Sequence, residues 1–391
     1  MKLYTAKAEG APAKAIALDD MILTKDLPTS AGSRMLDGYM SLFNATVVEK
    51  LTDAGYAVGG KLNVGEFAID LLGETSFYGP LSKDGKLCSA PDLALDEVSA
   101  VLSLDVNGAP RRGAAQSGNV YVKPTYGTVS RFGIIPVACS GECVGVTARD
   151  ADTCAEILSV ISGHDDKDGT SLSDDLCKGG IAPVRRIAVA TALCGKADAD
   201  VASKIEAVKS ALTAQGIEVV TLDGGELLAA KTAWNILMCA ELCNNVSRYD
   251  GIKYGYRTPN YKTIDELYTN SRTEAFGKLL KSAILFGSDT LSTENYDKVY
   301  DKALRVRRVL VDYFKSLFES VDAVLMPATS KMAYTEEDAK DFASFDENLY
   351  TAPASITGLP AVVFGGVQLV GKAFSERALL SLAGLSTKGD K

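Results

Sequence analysis

Residues Val184 to Leu222 read as a strand, a helix and a second strand. VRRIAVATA (Val184 to Ala192) is a short apolar run of the length and residue types of a buried strand. ADVASKIEAVKSALTAQG then carries apolar side chains at three- and four-residue spacing and stops at Gly216. IEVVTL follows as another strand. A strand that returns through a helix lies beside the first and parallel to it, and the crossing helix must cover one face of the sheet. No other feature narrows the architecture as far. It predicts an α/β fold in which helices bury a sheet.

The remaining elements agree. KAIALDD is a short strand candidate, and ATVVEKLTDAG is a helix ending at Gly55, with a strand and turn after it in YAVGGKLN. Tyr296 to Phe318 has a stripe of Val299, Ala303, Val306, Leu310, Tyr313 and Leu317 that faces a core. DAVLMPA and AVVFGGVQLVG read as buried strands, and the acidic first half of the stretch between them reads as a loop. No linker or internal repeat divides the chain, so 1–391 is expected to be a single domain.

Composition serves mainly to exclude. A net charge of −9 leaves no overall basic balance to neutralise phosphates, so direct nucleic-acid binding is not expected. No apolar run is long enough to span a bilayer. MKLYTAKAEGAPAK has no apolar signal region, and the eight cysteines sit mostly in apolar segments, which together predict reduced thiols in the cytoplasm. The only histidine, His164, lies in the Asp-rich turn SGHDDKDGTS and reads as a solvated turn residue. A histidine-based triad or metal site would have to use it. Asp165, Asp166 and Asp168 lack the closing glutamate of a calcium loop.

YVKPTYGTVSRFGIIPVACSGECVGVTARDADTCAEILSVISGHDDKDGTS resembles the amidase signature family. Within it the chain is most similar to the A subunits of glutamyl-tRNA(Gln) amidotransferases. The likeness extends over GSRMLDGYMSLFNATVVEKLTDAGYAVGGKLNVGEFAID and over SRYDGIKYGYRTPNYKTIDELYTNSRTEAFGK. It resumes in VDAVLMPATS and in TAPASITGLPAVV. The resemblance implies an α/β/α sandwich around a mixed sheet and amide hydrolysis by a Lys–Ser–Ser triad, with no cofactor or metal. Such a triad needs a lysine neutralised by burial, a hydroxyl relay and backbone donors for the oxyanion. It also implies B- and C-like amidotransferase subunits as partners, and an N-terminal helical segment that this sequence lacks.

Matched residue by residue, the chemistry is missing. The family's lysine position falls on Asp19, the bridging serine on Gly85 and the nucleophile on Ala109. The oxyanion turn falls on Val106, Asn107 and Gly108, with Asn107 where the family has glycine. The carboxylate-binding arginine becomes Ala283, the acidic residue that reads the substrate amino group becomes Asn348, and Tyr254 keeps its turn. Ala109 has no atom to attack with, Gly85 cannot relay a proton, and Asp19 has the wrong charge. The resemblance thus implies a catalytically inactive paralogue that acts by binding. Two alternatives stay open. Catalysis has moved to Ser89, Ser117 or Cys88 with Lys86 as base, or the emptied pocket binds a small molecule, where Asp19 favours a cationic or amide-donor ligand.

Overall fold

The computed structural model describes residues 2–10, 12, 14–177, 182–340 and 343–387. Among the described residues thirteen strands are formed: β1 Tyr4–Lys7, β2 Ile16–Asp19, β3 Val58–Leu62, β4 Ser82–Lys83, β5 Lys86–Leu87, β6 Ala100–Asp105, β7 Val120–Lys123, β8 Cys143–Ala148, β9 Arg186–Ala190, β10 Glu218–Leu222, β11 Ala323–Met326, β12 Ala361–Phe364 and β13 Val367–Gly371. Eleven of them make one continuous sheet in the order β1-β3-β2-β6-β8-β7-β12-β13-β11-β9-β10. The sheet is mixed: β3-β2-β6 and β11-β9-β10 are parallel, and the strands between run antiparallel.

The β-α-β unit forms as expected, with β10 parallel to β9 and the helix Ala199–Ala214 between them. Gly216 takes φ +82° just after that helix, where a side chain would be strained. β12 and β13 are joined by Gly365 and Gly366 at φ +57° and +86°, the two-residue turn that matches the twist of a hairpin. The stretch Tyr296–Phe318 is not one regular helix. It opens with a π-helical turn at Tyr296–Tyr300 and continues as an α-helix over Asp301–Leu317.

Alternate residues of the central strands serve two cores, as the pleat requires. Leu102 and Leu104 of β6 join Val122, Val146 and Ile157, beneath the helix Ala151–Ile161. Val101 joins Ala17, Ala90 and Ala94 on the opposite face, and Tyr121 of β7 joins Ala114 and Ala115 of the helix Ala109–Ser117 there. Helices therefore lie on both faces of a mixed sheet, which is the α/β/α sandwich anticipated.

Candidate functional site

The candidate site lies on the second face, at the carboxyl ends of the parallel strands β2 and β6. Asp19 is the last residue of β2 and follows Ala17 in its alternation. Ser103 and Asp105 follow Val101 in β6. Strand parity alone thus aims Asp19, Ser103 and Asp105 to one side. After β6 the turn Val106–Gly108 leads into the helix that begins at Ala109.

Asp19 and Ala109 meet at a cavity of about 30 Å³, whose other walls include Asn63, Asp70, Ser89 and Ser103. That is room for about one water molecule. The Asp19 carboxylate is 3% exposed and accepts from the backbone amides of Met21 at 3.0 Å and Leu104 at 2.5 Å. Burial dominates its titration and lifts its pKa to about 6, against the pull of those two amides and of Lys61. Ser103 is buried and its hydroxyl has no hydrogen-bond partner.

Gly85 is not part of this cavity. It forms the tip of the β4–β5 hairpin with Asp84, both at positive φ, and a Cβ there would meet nothing within 4 Å. The hairpin turns toward the segment around residue 334, to which the Leu87 amide donates at 2.8 Å. Ser89, four residues further along, lines the cavity instead. Of the three positions matched to the triad, Asp19 and Ala109 line one cavity and Gly85 stands apart from it. The physical reason is the Asp84-Gly85 turn, which folds that segment back on itself.

The turn itself is fixed from three sides. The Asn107 amide nitrogen donates to the Ile69 carbonyl at 2.6 Å. The Asn107 carbonyl accepts from Arg112 at 2.7 Å and from Thr351 at 3.2 Å. Gly108 has φ +84°, and a Cβ on it would lie 2.4 Å from Cγ2 of Thr351. Val106 is fully buried. Asp105 and Arg111 form a bidentate ion pair at 2.8 and 2.9 Å with no solvent exposure on either side chain. Arg111 also reaches the Thr351 carbonyl at 2.8 Å and Ser355 at 2.7 Å, which ties the turn to the helix Ala343–Thr357.

The three residues matched to the family's substrate pocket do not line the small cavity. Tyr254 is exposed and packs against Tyr39 and Tyr249, with ring centroids 5.9 and 6.0 Å away. Ala283 is buried in the helix Lys278–Thr290 and offers no charge for a carboxylate. Asn348 is buried and donates to Asn235, while its own carbonyl oxygen has no partner.

Among the described residues no lysine or histidine lines the cavity. The fully buried lysines are both committed to backbone carbonyls. Lys61 donates to Ile22 and Thr29 and lies 3.3 Å from Asp20, and Lys123 donates to Pro124 and Leu359. Among the relocation candidates only Ser89 faces the cavity. Ser117 donates to Asp92 at 2.7 Å, Cys88 contacts the Lys86 carbonyl at 3.6 Å, and Lys86 is exposed. His164 lies elsewhere, at a cavity of about 500 Å³ beside Lys50 and Asp174, with its ring nitrogens on Leu172 and Asp166. Among the described residues no cluster of histidine, cysteine and acidic side chains could hold a metal, and no helix is long and apolar enough to cross a membrane. The walls supplied by Asn63, Asp70 and Ser103 were not singled out as site residues from the sequence. The parity of Val101, Ser103 and Asp105 in β6 was the available signal for Ser103.

The comparisons with known proteins agree with this geometry. The family model described as Amidase matches residues 13–86 and 88–380. The glutamyl-tRNA(Gln) amidotransferase A subunit of Coxiella burnetii is 35% identical over 399 aligned positions, covering 94% of this chain and 81% of that protein. The protein of the same name from Acinetobacter baumannii is 36% identical, covering 94% and 80%. Among solved structures, the glutamyl-tRNA(Gln) amidotransferase A subunit of Thermotoga maritima superposes with a TM-score of 0.79 at 25% identity, covering 98% of this chain and 86% of that one. A 6-aminohexanoate cyclic dimer hydrolase has the same fold, with a TM-score of 0.80 at 16% identity and coverage of 98% and 89%. With its sheet, its Asp105-to-Arg111 turn and a sequence match along almost its whole length, this chain belongs to the amidase family.

Proposed function

We propose that this chain is a non-catalytic amidase-family protein, of the type of the glutamyl-tRNA(Gln) amidotransferase A subunits, and that it acts by binding. One observation carries the reading. The position where the family resemblance requires a nucleophile holds Ala109, and it faces the buried Asp19 carboxylate across a space of about 30 Å³. The space beside Asp19 has room for about one water-sized particle. A carboxylate at the site would also oppose the negative charge that builds on a tetrahedral intermediate. Members of such a unit act together, so losing them removes nearly all the catalysis rather than a fraction of it. The continuous sheet supports treating the chain as one amidase unit.

The partners that fit this reading are B- and C-like amidotransferase subunits, because the relatives at 35–36% identity are amidotransferase A subunits by name. Two measurements test the proposal. Purified protein should show no glutaminase or general amidase turnover above buffer, and co-expressed B- and C-like subunits should co-purify with it. Turnover that disappears on Ser89→Ala would overturn the reading and establish relocated chemistry. That second reading has one observation in its favour, that Ser89 and Ser103 both line the cavity. It lacks the lysine that the family's relay requires, since Asp19 stands in that position.

A further inference from the structure

The cavity between Asp19 and Ala109 has a chemistry of its own. Asp19 is a buried carboxylate with no lysine or arginine within 4 Å among the described ion pairs. The adjacent Asp20 takes Lys61, at 3.3 Å. Asp70, a second wall, is engaged by the Gly73 amide at 3.1 Å and by the amide and hydroxyl of Thr75 at 2.9 and 2.8 Å. Ser103, 1% exposed, lines the same space with a hydroxyl that nothing satisfies. A buried hydroxyl without a partner and a buried carboxylate without a cation are each costly, and one occupant that donates hydrogen bonds and carries positive charge would relieve both.

Size narrows the occupant. About 30 Å³ admits one water-sized particle, so a small ion fits the space beside Asp19 and Ser103 better than an amino acid or a hydrated metal ion. The carboxylate oxygens already accept backbone amides, so few oxygens are left for a metal cation that needs six or more ligands. A small tetrahedral donor needs only two or three acceptors. The space also lies where the resemblance puts a lysine ammonium and a serine hydroxyl, and shortening both residues is what leaves it vacant.

We propose that this cavity is a binding site for a single ammonium ion, held by Asp19 and Ser103. It would donate to the free lone pairs of the Asp19 carboxylate and to the Ser103 oxygen, with Ala109 closing the wall against larger ions. The inference depends on the side chains at these positions and not on whether the chain assembles with partners. A salt-dependence measurement reads the cavity and an amidase assay reads the chemistry, so the two proposals fail separately.

The test is thermal unfolding of the full chain at pH 7.5 and fixed ionic strength, in ammonium, potassium or sodium chloride. Binding to the folded state alone raises the midpoint by mass action, and for a chain of this size near-saturating ammonium should add about 1–3 °C over sodium. Asp19→Asn should abolish the increment, and Ser103→Ala should reduce it. Ala109→Val, which fills the space from the opposite wall, should abolish it too, and it decides the matter if Asp19→Asn does not fold. Equal midpoints in ammonium and sodium would overturn the proposal and leave the cavity to water. An increment that persists in Ala109→Val would place the effect elsewhere. An equal rise in potassium would refute a hydrogen-bonded ammonium ion.

Discussion

Replacing Arg111 with methionine isolates what the turn after β6 still does. The Arg111 side chain has no exposure, and its guanidinium makes two hydrogen bonds to Asp105, one to the Thr351 carbonyl and one to Ser355. Methionine fills roughly the same stem volume, so the perturbation is electrostatic more than steric. Stripping the cation from a buried pair costs about 3–5 kcal/mol because the other charge stays buried alone. The two bonds to the helix Ala343–Thr357 are worth about 1 kcal/mol each, and the three effects overlap. A loss of about 4–6 kcal/mol is therefore expected, read from the urea midpoint with an unchanged denaturant slope. Adding Asp105→Leu to the same chain should recover much of that loss, because no lone charge is left. The pH dependence supplies a second readout. Burial pushes the Asp105 carboxyl up, but the charge and hydrogen bonds of Arg111 outweigh it and hold the group below the usual carboxylate range. In the parent chain a depressed folded pKa means stability that is present at neutral pH and lost only as pH falls through that low value. In Arg111→Met burial is opposed only by Lys123 and the Tyr121 hydroxyl and the folded pKa rises, so the deficit should shrink as pH falls from 7 to 5. A loss below about 1 kcal/mol, or a deficit independent of pH, would refute the view that this pair fastens the turn.

Three more outcomes follow from the same geometry. Gly108→Ala places a Cβ 2.4 Å from Thr351 at φ +84°, so it should cost at least about 2 kcal/mol in thermal or urea unfolding, and an unchanged midpoint would show that the turn yields. Glu66 is lifted from 4.5 to about 7, first by burial, against the Ser33 hydroxyl and the Gly277 amide. Between those values the folded chain keeps a proton that the unfolded chain has released. Stability should therefore fall as pH rises through that window, and Glu66→Gln should flatten the slope, whereas an unaltered slope contradicts the assignment. Restoring Asp19→Lys and Ala109→Ser together should yield no amidase turnover. The space is about 30 Å³ and the third position stands apart on a hairpin, so measurable hydrolysis by that double variant would show the loop can return.

The sequence carried the fold well because the fold rests on local signals. The β9–β10 crossover and the helix stop at Gly216 follow from periodicity and from backbone freedom that only glycine supplies, whereas AVVFGGVQLVG, read as a strand, is two antiparallel strands turned at Gly365-Gly366. It carried the site less well because sites depend on what a segment touches far away. An ungapped match put Gly85 at the bridging-serine position, but the register says nothing of a two-residue turn that sends Lys86 and Leu87 toward the segment near residue 334. Asp70 joined the cavity through hydrogen bonds to Gly73 and Thr75 that hold its own loop closed, a contact with no periodic signature. The long helix after Tyr296 shows the intermediate case. Its apolar stripe was legible, but the π-helical first turn was not, since one extra residue per turn leaves the spacing of the later positions intact.

Within seven residues the chain separates holding a fold from doing chemistry. Asp105 and Arg111 join the end of β6 to the helix Ala343–Thr357 through fully buried, charge-assisted bonds. Gly108 lets that helix approach to a distance no side chain would permit. These three cannot change without loosening the sheet from a layer that covers it. Ala109, between them, faces a small cavity, so a hydroxyl there would add to the site without adding to the structure. The same contrast holds across the cavity. Asp19 accepts the amides of Met21 and Leu104, one on each carboxylate oxygen, and makes no ion pair among the described residues. On the proposed reading, positions that catalysis needs and packing does not are the ones free to drift. Positions that packing needs stay, and on the proposed non-catalytic reading the turn keeps its shape through Asp105, Gly108 and Arg111 while Ala109 stands at its tip.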